Sequence, residues 1–108
     1  MKKIYIAHPY SVNPEWARKC TDRIVHIVHE MGHLPVSPVH FFGWLDNDSG
    51  IREHLLEVCA NLLKTCDELW YYGKSNGVDF EISEAKKIGI PIKKYAYIEE
   101  EHYQQQEE

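Results

Sequence analysis

The sequence predicts an α/β fold, a three-layer α/β/α arrangement around a four-stranded parallel sheet ordered 2-1-3-4. Three observations carry this. Four short apolar, β-prone runs alternate with three longer segments whose apolar residues recur at helical spacing. The helical segments have recognisable ends: Asn13-Pro14-Glu15 and Ser75-Asn76-Gly77 open two of them, and Gly32 and Gly89 close two. Within 108 residues there is no internal repeat and no linker-like stretch, so the chain makes one domain with one core.

Lys3 to Ala7 is apolar and reads as a buried first strand, with His8 to Val12 as the loop at its carboxyl end. Asn13 then caps a helix, Pro14 occupies its first turn and Glu15 complements the dipole. Ala17, Cys20, Ile24, Ile27, Val28 and Met31 form its stripe, and Gly32 stops it. Residues 33–38 are a weak second strand between prolines, and 39–49 a long loop, aromatic first and acidic last. Asp48 or Ser49 caps the second helix, with a stripe of Ile51, Leu55, Val58, Cys59, Leu62, Leu63 and Cys66. Residues 67–72 form the third strand, and the third helix runs from the Ser75 turn to Gly89. Residues 90–95 read as an edge strand, whose proline and lysines discourage further pairing. From Glu99 the chain is a polar tail, a frayed helix or an arm that orders on a partner, leaving residues 1–98 as the domain. Right-handed crossovers give a flavodoxin- or Rossmann-like sheet, whose ligands bind beyond the carboxyl ends of the strands.

Two charged residues violate the helical pattern, both at that end. Glu81 falls inside the apolar arc of Val78, Ile82, Ala85 and Ile88, and a carboxylate aimed at a core is costly unless it is paired or faces a polar cavity. Read in the first turn, it is kept ionised by the dipole and is a candidate nucleophile or ligand anchor. The plainer reading is a glutamate that reaches solvent or supports the helix start. Arg52 lies in its own helix's arc, where a cation opposes the dipole, so it reads as held for an anion, or as a stem that packs while its head reaches water. His8, Pro9, Tyr10, Phe42, Arg52, Ser75, Asn76 and Gly77 converge on the crevice as candidate ligand contacts. Aromatics offer a wall for a ring, and the helix N-terminus after Ser75 a place for a phosphate.

Composition excludes several classes. A net charge of −5 argues against a general nucleic-acid surface. No apolar run reaches membrane-span length, and the first apolar run is too short for a signal-peptide core. Cys20, Cys59 and Cys66 lie on helical stripes without paired spacing, as reduced core residues of a cytoplasmic protein. There is no GxGxxG, no Walker loop and no nucleophile elbow around any serine. The histidines make no convincing ligand set, so neither a metal nor a cofactor is expected.

Three blocks carry a resemblance: residues 4–10 (IYIAHPY), residues 66–73 (CDELWYYG) and Ser75-x-Gly77-Val-x-Phe-Glu81. Together, over residues 3 to about 95, they resemble the nucleoside 2-deoxyribosyltransferase-like superfamily, above all its small members in phages and bacteria. The Ser75 to Glu81 turn is particularly similar to the deoxynucleoside-monophosphate N-glycosidase branch. The resemblance implies that Glu81 is a nucleophile toward the anomeric carbon of a (deoxy)ribosyl N-glycoside, that Tyr5 stands beside it, and that Ser75 lies on the phosphate side. It also implies a homo-oligomer, a dimer or higher, with a nucleotide or nucleoside as small-molecule partner. Two departures stand out. The transferases have an aspartate where Ser75 stands, and the glycosidase branch has an aspartate where this chain has Cys59. Two activities follow as alternatives: cleavage or transfer of the N-glycosidic bond, or capture of a nucleotide or ADP-ribose-like signal without turnover.

Overall fold

Among the residues described by the computed structural model, four parallel strands and five helices make the domain. It describes residues 1–10, 13–42 and 49–107, with the backbone course alone for 42, 49–53 and 105–107. In chain order these are β1 Lys3–Ala7, α1 Pro14–Glu30, β2 Leu34–Val36, α2 Pro38–Phe42, α3 Ser49–Leu63, β3 Glu68–Tyr71, α4 Asn76–Ile88, β4 Ile92–Lys94 and α5 Tyr95–Glu107. The sheet is ordered β2-β1-β3-β4 and every neighbouring pair is parallel, as the sequence predicts.

The central strands are apolar without alternation because helices cover both faces. On one face Tyr5 and Ala7 of β1 and Leu69 of β3 pack against Leu63 of α3 and against Val78 and Ala85 of α4. On the other, Ile4, Ile6 and Trp70 pack against Ile24 and Val28 of α1 and Tyr95 of α5. The helix ends are built as their sequences indicate. The Asn13 side chain accepts the Trp16 N–H at 3.0 Å, with Pro14 opening α1. Ser75 Oγ accepts the Val78 N–H at 3.1 Å to cap α4, and Gly89 closes that helix in the left-handed region at φ 78°.

Two segments differ from the sequence reading. Pro38 to Phe42 is a short helix where a loop is expected; Pro38 ends the second strand and at the same time opens this turn, and the His40 and Phe41 N–H groups bond the Ser37 carbonyl. The polar tail is the larger difference. Of the three readings left open, α5 is helical, crosses residue 99 without a break and folds back on α1. Tyr95 is 1% exposed, Ile98 packs beneath it, and Glu99 pairs with Arg23 at 3.1 Å. Tyr95, Ile98 and His102 recur at three and four residues, and this sparse stripe suffices because α1 supplies a ready surface.

At the amino end of the sheet, buried Glu68 accepts hydrogen bonds from Lys2 (2.8 Å) and Trp70 Nε1 (3.0 Å) and pairs with Lys93 at 2.8 Å. Burial alone would raise its carboxyl, but the three donors outweigh it and hold the group down at about 2. Glu68 thus ties β3 to the chain start and to β4, at the end of the sheet away from the crevice. No helix among the described residues is long and apolar enough to cross a membrane, and no group of three or more His, Cys, Asp or Glu among them is placed to hold a metal ion.

Candidate functional site

The strand order reverses at β1, which lies between β2 and β3, and the crevice of such a sheet opens above that point. Two lips meet there. His8 to Tyr10 follow β1, and residues 72–75 lead from β3 into α4. The Tyr72 N–H continues the ladder to the Ala7 carbonyl at 2.9 Å. Gly73 follows in the left-handed region at φ 73°, and a Cβ there would lie 2.9 Å from Pro9 Cγ. Only glycine meets both conditions.

Glu81 lies on α4, one turn further in than the sequence reading places it. The helix begins at Asn76, and Asp79 is the acidic residue of its first turn. Glu81 is half-buried, and its carboxyl stands near the Tyr5 hydroxyl of β1 and the Cys59 thiol of α3. Burial raises the carboxyl to about 7, and the Tyr5 hydroxyl draws it down by less. This corrects the expectation that the dipole keeps Glu81 fully charged: beyond the first turn that effect has faded, and desolvation wins. Burial, then Glu81, raise the Cys59 thiol to about 11. Burial, then Glu81 and Cys59, push the Tyr5 phenol up as well. The Tyr5 hydroxyl is buried with no hydrogen-bond partner at direct distance. The cluster is therefore a carboxyl poised between charge states beside two protonated donors.

At the start of α4, Ser75 uses an Oγ lone pair for its cap and keeps a hydroxyl proton to donate. Gly77 is not demanded by the backbone: a Cβ would meet only Ser75 Oγ, at an ordinary 3.8 Å. A helix glycine costs roughly 1 kcal/mol against alanine. What it provides here is an uncovered approach to the first N–H groups of α4, which have no partner within the helix.

The remaining predicted contacts divide. Pro9 forms the lip against Gly73. His8 turns to the opposite face of the sheet from Tyr5, stacked on Tyr72 with ring centres 5.0 Å apart and 5.0 Å from Trp16. Its Nδ1–H donates to the Pro9 carbonyl at 2.7 Å, which leaves Nε2 an unprotonated acceptor, buried and without a partner. Burial lowers its affinity for a second proton. Tyr10 accepts a hydrogen bond from Arg18 of α1 at 2.9 Å. The side chains of Phe42 and Arg52 lie outside the described residues, as does Asp48, one of the two proposed caps of α3.

One hydrogen-bond chain is absent from the sequence reading. Ser37 Oγ meets His40 Nδ1 at 2.7 Å, and His40 Nε2 meets Asp22 Oδ1 at 2.5 Å. It has the order of a nucleophile, base and acid, but Ser37 is 3% exposed and caps α2. We read it as a brace between α1 and α2. The three-residue spacing of Ser37 and His40 was the available signal, and it has meaning only once Pro38 is seen to start a helix.

A family model matches residues 2–95. The chain belongs to that family, the domain of unknown function DUF7768. Among solved structures the DUF7768 chain is similar to the 2-desoxiribosyltransferase from Leishmania mexicana, with 19% identity and a TM-score of 0.61, over 85% of this chain and 62% of that one. It is also similar to the 2-deoxyribosyltransferase from Bacillus psychrosaccharolyticus, with 20% identity and a TM-score of 0.64, over 83% of this chain and 69% of that one. The chain thus spans less than two thirds of the Leishmania protein. No curated protein matches it. This DUF7768 domain shares the fold of these two deoxyribosyltransferases.

Proposed function

We propose that the domain binds a nucleotide or ribosyl-nucleotide at the carboxyl end of the sheet and breaks its N-glycosidic bond, with Glu81 as nucleophile. The observation that carries this is the Glu81 carboxyl, buried beside an unpartnered tyrosine hydroxyl and raised to about 7. Glu81 in its ionised form attacks the anomeric carbon. The C1′–O bond forms as the C1′–N bond breaks, and the base leaves with the electron pair and takes up a proton. Water or an acceptor then releases the sugar from the ester. The Tyr5 hydroxyl donates to Glu81 and fixes which oxygen attacks. Ser75, Asn76 and Gly77 receive a phosphate at the α4 N-terminus. Arg52 supplies a cation to it, while Phe42, Pro9 and Tyr10 border the ligand. In this reading the protein works in the cytoplasm of a bacterium or a phage-infected cell, as a homo-oligomer.

A second reading is capture without turnover, and one observation favours it. The groups found to couple to Glu81 are Tyr5 and Cys59, neither of them a carboxylic acid. The one acid on the middle of α3, Glu57, is exposed. A positioned acid for the leaving base is typically worth about 10²–10⁴-fold in rate. The deciding experiment incubates the protein with nucleosides, nucleoside monophosphates and ADP-ribose and follows free base by chromatography. Base release by the native protein and none by Glu81→Gln supports catalysis. Unaltered ligand recovered after heat denaturation, with no free base, supports capture. Neither release nor binding across the panel overturns both.

A further inference from the structure

We propose a second anion site on this domain, a cleft between α4 and the edge strand β4 that takes a nucleoside polyphosphate. The cleft has a volume of about 620 Å³, within the roughly 300–1,000 Å³ usual for small-molecule sites. Lys74, Lys86 and Lys94 line it with a single opposing charge, Asp79. In a chain of net charge −5 this is a local reversal of sign. Its apolar surface comes from Tyr71, Ile82 and Ile92.

It shares Gly73 and Lys74 with the lip of the Glu81 crevice but opens on another side of α4. At 100° per residue, Glu81 points about 130° round α4 from the mean direction of Asp79, Ile82 and Lys86. Glu81 faces Tyr5 and Cys59, whereas the cleft opens toward the free edge of the sheet, where β4 pairs with β3 alone. On this face α4 packs beside β4, with Ile82 and Ile92 against one core cluster, while α5 crosses to the other side and packs on α1.

The lysines do not read as ordinary surface charge. Lys93, their neighbour, is occupied by Glu68, but no described ion pair takes up Lys74 or Lys86. Among the described residues, the contact of the Lys94 ammonium is the ring of Tyr97, 5.4 Å away. Lys74 lies two residues before the first residue of α4, at the positive end of the dipole, where a cation is disfavoured until an anion joins it. Asn76, the first residue of α4, and Lys86 are ten residues apart along a helix rising about 1.5 Å per residue, and Lys74 lies before it, so the cleft is long, on the order of 15 Å. A single phosphate spans too little of it. A chain of phosphates with a ring against Tyr71 and the isoleucines fills it and meets the charge.

Calorimetric titration with ATP, inorganic tripolyphosphate and adenosine tests this. ATP is expected to bind most tightly, tripolyphosphate less, and adenosine weakest. Lys86→Glu and Lys94→Glu, both at exposed positions, are each expected to weaken ATP at least tenfold, and Lys64→Glu, at the far end of α3, to leave it unchanged. Glu81→Gln is expected to leave ATP affinity unchanged. No heat with ATP or tripolyphosphate at millimolar concentration overturns the proposal. So does an equal loss in all three lysine variants, which means diffuse attraction. Loss of ATP binding in Glu81→Gln places the ligand in the other crevice, and also overturns it.

Discussion

Glu81 is the residue at which local and global demands part. In solution its carboxyl would titrate near 4.5, and in the fold it does so at about 7. A folded value above the unfolded one means that the native state holds a proton more tightly. That contribution to stability is complete below pH 4.5 and is lost as pH rises through 7. Glu81→Gln is therefore expected to be more stable than the native protein at pH 8, by about 3 kcal/mol, with the difference vanishing below pH 4.5. Urea unfolding at pH 4, 6 and 8 checks it, and equal stability of the two proteins at pH 8 contradicts the burial of this charge. Base release by the native protein is expected to rise with pH to a plateau above 7 as the nucleophile ionises. Tyr5→Phe removes a hydroxyl that has no partner at direct distance in the resting fold, so the fold should lose little, while turnover is expected to fall roughly 10- to 100-fold because the proposed reaction needs that hydroxyl to donate to ionised Glu81. An unfolded Tyr5→Phe protein would show that the hydroxyl is structural. The sequence exposes Glu81 as a break in an apolar arc. It does not expose the charge state, because that depends on how closely β1 and α3 approach, which is a tertiary quantity.

At the scale of elements, strong local signals survive and weak ones are overruled by packing. Asn13-Pro14 and Ser75 open helices as read, since cap chemistry acts within a few residues. The apolar residues of α5 are too few to fix its structure from sequence; its place depends on α1, against which its Tyr95 and Ile98 pack. Tyr95→Ala is expected to cost about 3 kcal/mol or more, by analogy with other large aromatic truncations, and to lower the urea midpoint accordingly. A loss below 1 kcal/mol would show that α5 does not hold the α1 layer. Glu68 works in the opposite sense to Glu81. Its folded value of about 2 lies below 4.5, so its contribution is present above pH 4.5 and is lost as pH falls toward 2. Glu68→Gln is expected to cost about 1–3 kcal/mol at pH 7 and to flatten the acid limb of the stability curve. Circular dichroism along an acid titration reads both.

For the whole molecule, topology was the most legible property, because strand–helix alternation and the hand of crossovers leave few alternatives for four strands. The cleft beside β4 was not legible, since Lys74, Lys86 and Lys94 belong to three separate stretches that meet only in the fold. The exposed Trp16, Phe41, Leu56, Tyr97 and Tyr103 accord with the proposed homo-oligomer. Light scattering over a dilution series is expected to give at least twice 12.7 kDa, and a monomer mass at micromolar concentration refutes it. One contact also limits how the crevice can work. Gly73 is pressed against Pro9, and the two lips are stitched together by the Tyr72 to Ala7 bond. They form a fixed jaw, so any hinge that admits a ligand must lie elsewhere on the rim. A methyl group at Gly73 would wedge the jaw open and distort the entry to α4, moving Ser75 and Glu81 together though neither has been changed.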